Sequence, residues 1–453
     1  MLALLLSGLV ATQGFIPENK FRTTNKLNER ITLVKATHYE SIAEVRQVEG
    51  LQDGMKMRKL PGSDLLVSEL CLGTMTFGEQ VTKEQAFQQL NVATTNYGIN
   101  FLDTAESYPV PSAPSTTGKT ELIIGEWLKK SGKKTRENTV ISTNICGFSD
   151  QITWCRKDGQ GTRVNREQVF EAVDAQLKRL GTDYIDLLQI HWPDRYVPLH
   201  GAPDYLYELE RTGSTPIKEQ LEIIAELVKA GKVRHFGLSN ETPYGVAAFT
   251  QTADLLNLPR PCVAQNAYSL LVRNEYETGM LEACSPANAN VGLLAYSPLA
   301  GGALTGKYLD IKNADAASRM KQFVGYMHRY ISPPAVEAVR RYQAVADSLS
   351  VPLTPLALAW VYSRPFVTST IIGATDMKQL EDNVMALNMP IDEDITNMLN
   401  AVYRDHIEPT RGVFEVMDPN LEYIDPSKLP WGGKDTEVDP ELDILINQRL
   451  SKF

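Results

Sequence analysis

Residues 184–191 read YIDLLQIH, a short apolar run that ends on a histidine. A run of this length is typical of a buried strand in a parallel sheet, which is covered on both faces. We expect a helix to precede it, packed through one face, with Lys178 and Arg179 turned toward water. Four apolar residues at helical spacing form that face: Val169, Val173, Leu177 and Leu180. A helix that leads into a buried strand is the repeating unit of α/β proteins.

This pattern recurs along the chain from about Met55. Thr82-x-x-Gln85 and Asn165-x-x-Gln168 are capping boxes that indicate helix starts. Residues 56–67, with a Pro-Gly-Ser-Asp turn, predict a hairpin ahead of the first barrel strand. Eight parallel strands close a (β/α)8 TIM barrel, and we predict that α/β fold. The eight strand-like runs are residues 70–74, 100–103, 139–143, 184–190, 234–238, 263–266, 292–296 and 369–372.

The composition is that of a globular protein, and its charge excludes several functions. Of the 453 residues, 43% are hydrophobic and 22% charged, with a formal net charge of −10. A negative chain repels phosphate backbones and anionic lipids, so we expect no nucleic-acid partner and no membrane association of the mature form. The five cysteines form no C-x-x-C pair and the six histidines are dispersed, so neither a disulfide framework nor a metal site is predicted. A metal-dependent barrel hydrolase is disfavoured for the same reason.

We divide the chain into a leader of residues 1–54, a barrel of residues 55–408 and a C-terminal extension of residues 409–453. The apolar run LALLLSGLV is too short to span a membrane and is typical of a signal sequence. Residues 15–38 follow with five basic and two acidic side chains, a transit-peptide composition. Together they resemble the bipartite leaders of proteins imported into secondary plastids and predict a plastid location, the alternative being a disordered tail of a cytoplasmic protein. The acidic, proline-containing extension either wraps the barrel or hangs free.

Two near matches to the P-loop pattern fail. Gly118-Lys119-Thr120 has Ala113 in place of the first glycine, and residues 301–307 are followed by Tyr308 where a hydroxyl residue would hold magnesium. No G-x-G-x-x-G lies between a predicted strand and a helix, so a Rossmann fold is also disfavoured. A cofactor with phosphates would need a different kind of site.

Each predicted strand ends in groups able to bind or react. The carboxyl ends of barrel strands meet at one mouth, where Tyr108 could donate a proton and His191 could polarise a carbonyl oxygen. The long loops 105–118 and 192–213, the latter rich in aromatic residues, are predicted walls of the substrate pocket. The strand-end residues are Gly73-Thr74, Asp103, Asn144, His191, Ser239-Asn240, Gln265-Asn266, Tyr296-Ser297 and Gly373-Ala374-Thr375.

An ordered set of motifs over about residues 55–407 strongly resembles the aldo-keto reductase family. The similarity is to the bacterial Tas-like branch and also to potassium-channel beta subunits. It implies an oxidoreductase that binds NADPH across the barrel mouth without a Rossmann fold. The motifs are GTMTFG at 73–78, D-x-A-E-x-Y-P-V-P at 103–111, QIHWP at 189–193, GLSNET at 237–242, Q-N-x-Y-S-L-L at 265–271, LTGKY at 304–308 and G-A-T-x-x-x-Q-L-x-x-N at 373–383.

The resemblance also implies roles for individual residues. The nicotinamide amide would meet Ser239, Asn240 and Gln265, Tyr296 would stack on its ring, and Lys307 would receive phosphate. NADPH rather than NADH is the family's preference, although Gly373 and Gln379 stand where some relatives carry basic residues, and Lys378 or Arg364 would have to substitute. The implied cofactor-binding residues are Gly73, Thr74, Ser239, Asn240, Gln265, Tyr296, Ser297, Leu299, Lys307, Gly373, Thr375, Gln379 and Asn383.

Of the family's four catalytic residues, Asp, Tyr, Lys and His, three are present as Asp103, Tyr108 and His191, and Asn144 stands in the place of the lysine. A cation that lowered the tyrosine pKa by roughly 2 would contribute about 2.7 kcal/mol, or up to ~10²-fold in rate. Reduction, which needs a neutral phenol, should survive this loss better than oxidation. Two hypotheses follow: a weak or specialised NADPH-dependent reductase of small aldehydes and ketones, or an NADPH-binding regulatory protein with little turnover. The sequence does not indicate an oligomeric state.

Overall fold

A computed structural model describes residues 42–202, 204–323 and 325–411. Eight strands form a closed parallel barrel in the order β10-β11-β4-β5-β6-β7-β8-β9. The predicted (β/α)8 fold is confirmed, because every predicted strand overlaps one strand of this barrel. The strands are β1 Glu44–Arg46, β2 Met55–Lys59, β3 Leu66–Ser68, β4 Leu70–Gly73, β5 Phe101–Ala105, β6 Val140–Ile145, β7 Ile185–Ile190, β8 Val233–Ser239, β9 Pro261–Ala267, β10 Gly292–Tyr296 and β11 Val367–Ile372.

Helices connect successive strands. A π turn at Tyr276–Met280 leads into α7, and a bent 3-10 segment, Ala300–Thr305, follows β10. Shorter 3-10 turns lie at Tyr207–Leu209, His328–Ile331 and Ala386–Asn388. The α-helices are α1 Lys83–Thr95, α2 Lys119–Ser131, α3 Lys133–Glu137, α4 Arg166–Leu180, α5 Ile217–Lys229, α6 Pro243–Leu256, α7 Leu281–Cys284, α8 Arg319–Gln322, α9 Pro333–Ser348, α10 Leu353–Tyr362, α11 Met377–Met385 and α12 Glu393–Asp405.

Local sequence signals explain where two of the helices begin. At α1 the Thr82 side chain accepts a hydrogen bond from the Gln85 amide and the Gln85 side chain accepts one from the Thr82 amide, which completes the predicted capping box. At α4 the Asn165 side chain accepts from the Gln168 amide. The Gln168 carboxamide, however, accepts from the Arg163 amide, 2.7 Å away, so the second predicted box is only half formed.

Arg179 departs from the prediction. Its Nε lies 2.6 Å from Oε2 of Glu121, a side chain of α2 that is fully buried. The guanidinium therefore joins two helices rather than facing only water, while Lys178 is exposed as expected. An i,i+4 pattern read along one helix cannot reveal a partner on another helix.

The amino-terminal ends of the barrel strands are closed by a hairpin. Strands β2 and β3 pair antiparallel, which confirms the predicted hairpin, and β1 adds a third strand from within the 1–54 segment. Residues 1–41 of the predicted leader and residues 412–453 of the predicted extension lie outside the described residues. The hairpin and the strand starts share one apolar cluster: Leu60, Leu65, Val67, Cys71, Phe101, Val140, Leu187, Cys262, Val263, Leu294 and Ile371.

No helix of the described part of the chain is, by itself, long and apolar enough to cross a membrane. Helices α9 and α10 together reach that length and composition, but they bend by 96° where they meet.

Candidate active site

A cavity of about 2560 Å³ opens at the carboxyl ends of the barrel strands. Two of the predicted catalytic and cofactor-binding residues do not line it: Ser239 and Asn144 are both buried behind the surface. The strand-end residue Asn266 does not line it either. The predicted residues that do line it are Gly73, Thr74, Asp103, Tyr108, His191, Asn240, Gln265, Tyr296, Ser297, Leu299, Lys307, Gly373, Thr375, Gln379 and Asn383. The barrel thus brings together fifteen of the seventeen candidates, from all of its strand ends except that of β6.

Asp103, on β5, is the buried acid at the bottom of the cavity. Its Oδ2 accepts hydrogen bonds from Gln265 Nε2 at 2.8 Å, Ser142 Oγ at 3.0 Å, Gln189 Nε2 at 3.2 Å and Asn144 Nδ2 at 3.3 Å. All four donors are neutral. Burial raises the pKa of Asp103 to about 7, against the lowering effect of those hydrogen bonds, because no positive charge offsets the lost hydration.

Asn144, on β6, stands where the resemblance places a lysine. Its Nδ2 donates to the Thr104 carbonyl oxygen at 2.7 Å and more weakly to Asp103 at 3.3 Å. Its Oδ1 has no hydrogen-bond partner among the described residues, and the side chain is fully buried. The amide therefore preserves a contact with Asp103 but brings no charge to it.

Tyr108 and His191, the predicted proton donor and carbonyl-polarising residue, lie next to each other in the cavity. Their ring centroids lie 5.7 Å apart in an edge-to-face arrangement. Burial, together with the nearby Asp103 carboxylate, holds the pKa of Tyr108 well above its usual value. Burial lowers the pKa of His191 to about 4, against the opposing effect of Glu106. At neutral pH the site therefore offers a neutral phenol and a neutral imidazole.

A buried ion pair that was not predicted from the sequence lies between β5 and the loop after β6. Arg156 donates to both oxygens of Glu106, from Nη1 to Oε2 at 2.7 Å and from Nη2 to Oε1 at 3.0 Å. Glu106 Oε1 also accepts from the Cys146 amide at 2.7 Å. The pair fastens the end of β5 to the loop after β6. Glu106 belongs to the D-x-A-E-x-Y motif, but no spacing in the sequence points to Arg156.

Polar side chains from β9, β10 and the end of β8 form a wall of the cavity and are held by hydrogen bonds within the protein. Tyr296 Oη donates to Asn240 Oδ1 at 2.6 Å, and Asn240 Nδ2 donates to the His191 carbonyl oxygen at 2.8 Å. Gln265, predicted to hold a nicotinamide amide, uses its Nε2 on Asp103. Gln265 therefore positions the Asp103 carboxyl group.

The cavity continues from this wall toward an end that contains Lys307 and Gly373. Lys307 lies beside Gly302, where a Cβ would come within 3.1 Å of its Nζ, and the space next to Gly373 is open. Helix α11 begins just beyond, at Met377, and the Asp376 carboxylate caps it by accepting a hydrogen bond from the Gln379 amide at 2.8 Å. Lys378 lines this end, but Arg364 does not; its guanidinium lies over the Trp360 ring, 5.0 Å from the centroid.

Several loops line the mouth. The two loops predicted as walls both contribute, loop 105–118 with Val110 and Pro111 and loop 192–213 with Trp192 and Tyr196. After the LTGKY motif, the segment that leads to α9 also brings two arginines, Arg319 and Arg329, to the cavity. Only the folded chain reveals these arginines, because they belong to none of the motifs.

Comparison with known proteins agrees with this geometry. The family model described as "Aldo/keto reductase family" matches residues 69–404, which include all eight strands of the barrel and exclude the hairpin of β2 and β3. The chain belongs to the aldo/keto reductase family. It is therefore an oxidoreductase by family, and the resemblance of the motifs is confirmed.

Individual relatives extend over most of the chain. It is 40% identical over 362 residues to "Protein tas" of Escherichia coli (strain K12), covering 78% of this chain and 99% of that protein. It is 43% identical over 252 residues to an "Aldo-keto reductase" of Babesia bovis, covering 54% and 88%. It is 30% identical over 356 residues to a "Probable voltage-gated potassium channel subunit beta" of Arabidopsis thaliana, covering 78% and 96%.

Proposed function

We propose that this protein is an NADPH-dependent reductase of small aldehydes and ketones, slowed by Asn144. The observation that carries the proposal is the pair of neutral proton donors, Tyr108 and His191, at the deep end of a cavity that continues to Lys307. A carbonyl oxygen placed between the two rings would meet a phenol and an imidazole at once. That arrangement suits reduction of a carbonyl group.

The lining fits a dinucleotide in several respects. Asn240 and Tyr296 would flank its nicotinamide end, and Lys307 and the backbone at Gly373 would receive its phosphates. Lysine suits a phosphate as a point charge, and backbone without a Cβ allows close approach. When bound, the reduced cofactor supplies a hydride.

The protein's own residues supply the proton and the positioning. Tyr108, whose raised pKa keeps it neutral, donates its phenolic proton to the oxygen that gains negative charge. The neutral imidazole of His191 contributes a second hydrogen bond to the same oxygen. Asn144 holds the Asp103 carboxyl by a hydrogen bond but leaves Tyr108 without the cation that would make it a stronger acid.

A single-turnover experiment tests the proposal. The protein is saturated with NADPH and mixed with 4-nitrobenzaldehyde in a stopped-flow instrument, and cofactor absorbance is followed. We expect one equivalent of NADPH to be oxidised within seconds. Tight NADPH binding, seen as a change in cofactor fluorescence, with no oxidation on that timescale would contradict the proposal. Tyr108→Phe is the control that separates enzymatic reduction from background reaction.

The same neutral site supports a second candidate, a protein that binds NADPH with little turnover and regulates a partner. Asn144 favours it, because the missing cation weakens chemistry without disturbing the cavity. The stopped-flow outcome decides between the two candidates.

We also propose that the leader, residues 1–54, directs the chain to a plastid. Its signal-like run and basic stretch support the proposal. Fusion of these residues to a fluorescent protein in a cell with a secondary plastid tests it, and a purely cytoplasmic signal would contradict it.

A further inference from the structure

The loop between β6 and α4 folds back on itself beside the active site. Thr162 Oγ1 donates to the Gly147 carbonyl oxygen at 2.7 Å, and the Ser149 amide donates to the Thr162 carbonyl oxygen at 3.0 Å. These contacts tie the start of the loop to its end. The segment between them contains Cys155, and the strand end just before it contains Cys146.

The buried ion pair brings the two cysteines to one place. Glu106 Oε1 accepts from the Cys146 amide at 2.7 Å and from Arg156 Nη2 at 3.0 Å. Arg156 Nη1 in turn donates to the Cys155 carbonyl oxygen at 3.0 Å. Each cysteine backbone is thus one hydrogen bond away from the same pair of charges, and this holds the two stretches of backbone close to each other.

The two thiols also differ in accessibility. A side-chain hydrogen bond with Cys155 is the largest cause that raises the pKa of the Cys146 thiol, ahead of burial, so the two side chains face each other. Cys146 is buried, as are Cys71, Cys262 and Cys284, whereas Cys155 is partly exposed. A reagent from solvent therefore reaches the Cys155 thiol first, and the buried Cys146 thiol lies next to it.

We propose that Cys146 and Cys155 form a reversible disulfide when the protein meets hydrogen peroxide. The Cys155 thiolate attacks one peroxide oxygen, the O–O bond breaks, and Cys155 becomes a sulfenic acid with release of hydroxide. The sulfur of Cys146 then displaces the hydroxyl group, and its proton leaves with it as water. In sum, two thiols and one hydrogen peroxide give one disulfide and two waters. A dithiol reductant restores both thiols by exchange.

The disulfide would act on the wall of the cavity. Phe148, Ile152 and Trp154 of this loop line it, and Asn144 lies two residues before Cys146 on β6. A covalent tie between the strand end and the middle of the loop removes loop motions that open this wall. We expect amide hydrogen exchange in residues 147–162 to slow by about tenfold or more in the oxidised protein.

Thiol counting tests the inference without any assay of catalysis. The full-length protein is reduced, freed of reductant, exposed to hydrogen peroxide and alkylated with a maleimide after denaturation. We expect three of the five cysteines to be labelled, a mass loss of two hydrogens before labelling, and one cross-linked peptide pair that contains Cys146 and Cys155. Labelling of all five cysteines, a disulfide between other positions, or added oxygen on Cys155 without a cross-link would overturn the inference.

Variants locate the chemistry. Cys155→Ser should retain four labelled thiols after oxidation, and Cys146→Ser should accumulate a sulfenic acid on Cys155 that a dimedone probe traps. Cys284→Ser, which removes a buried cysteine elsewhere, should still form the disulfide. If Cys155→Ser destabilises the fold, Cys155→Ala with its circular dichroism spectrum checked serves instead. Disulfide formation in either Cys155 variant would overturn the assignment.

Discussion

At Asn144 the barrel has an uncharged amide next to the buried acid Asp103. The amide is held by the Thr104 carbonyl oxygen at 2.7 Å and only weakly by Asp103. A lysine here would place its ammonium against that acid and, through it, near Tyr108. The structure agrees with the expectation that Asp103, lacking a positive partner, has a raised pKa.

Asn144→Lys should therefore raise the rate of carbonyl reduction by at least about tenfold, because the added cation favours the ionised form of Tyr108 and makes it a better acid. Single-turnover oxidation of NADPH by 4-nitrobenzaldehyde measures the change. Asn144→Met is the matched control, because methionine is similar in length to lysine but carries no charge. This variant should show no gain in the rate of carbonyl reduction. Equal rates in the lysine variant and the native protein, with cofactor bound in both, would refute this account of Asn144.

The Asp103 carboxyl should also make stability depend on pH. Its folded-state pKa of about 7 lies above the ordinary value of 3.8, so the folded protein holds this proton more tightly than the unfolded chain. The resulting contribution to the free energy of unfolding is complete below pH 3.8 and is lost as the pH rises through 7.

Asp103→Asn has no such proton. Between pH 4 and pH 8 the free energy of unfolding of the native protein should fall by a few kcal/mol relative to this variant. Urea denaturation at several pH values measures the difference. Parallel curves for the two proteins would show that Asp103 is ionised throughout.

At the scale of secondary-structure elements, the Glu106 to Arg156 pair joins β5 to the β6–α4 loop. Both side chains are almost fully buried, so removing one partner leaves an uncompensated charge. Glu106→Gln should lower the free energy of unfolding by about 3–5 kcal/mol.

The double variant Glu106→Gln with Arg156→Met removes the stranded charge and should recover most of that loss. Chemical denaturation of the three proteins forms a double-mutant cycle. Additive losses in the double variant would mean that the two residues stabilise the fold independently.

We expect α11 to contribute to the distinction between a dinucleotide with a 2′-phosphate and one without. Lys378, on this helix, lines the cavity as Lys307 does, and it pairs with Asp382 on the next turn. Lys378→Gln should weaken NADPH binding by about five- to tenfold and leave NADH binding unchanged. Fluorescence titration with both cofactors measures this. Lys229→Gln, on an exposed helix end outside the lining, should change neither affinity, and equal weakening of both by Lys378→Gln would exclude a role in discrimination.

At the scale of the whole molecule, the hairpin closes the end of the barrel opposite to the cavity. Leu65 is 2% exposed and packs among the strand starts, so Leu65→Ala should destabilise the protein by about 2–5 kcal/mol. Cofactor affinity should not change, because the cavity is at the other end. Thermal unfolding and NADPH titration measure the two quantities. Leu255→Ala is the control, since Leu255 is 84% exposed and should alter neither.

The sequence contained enough to predict the barrel and most of the site, because both depend on local signals. Apolar runs mark strands, and polar residues near the carboxyl ends of barrel strands lie close to the mouth, as with His191 directly after β7 and Asp103 within β5. Pairings between distant segments have no such signal. Glu106 meets Arg156 fifty positions further along, and Arg179 meets Glu121 on another helix. The burial of Asn144 behind the cavity likewise depends on the register of β5 and β6, which the sequence does not state.

The hairpin closes one end of the barrel, and this has a kinetic consequence. Reactants therefore enter and leave through the mouth of the cavity. The reactant that lies deeper must bind first and leave last, and the other reactant blocks access if it binds too early. Steady-state kinetics should accordingly show a compulsory order of addition and inhibition at high carbonyl concentration, and a random order would mean that the mouth admits both reactants side by side.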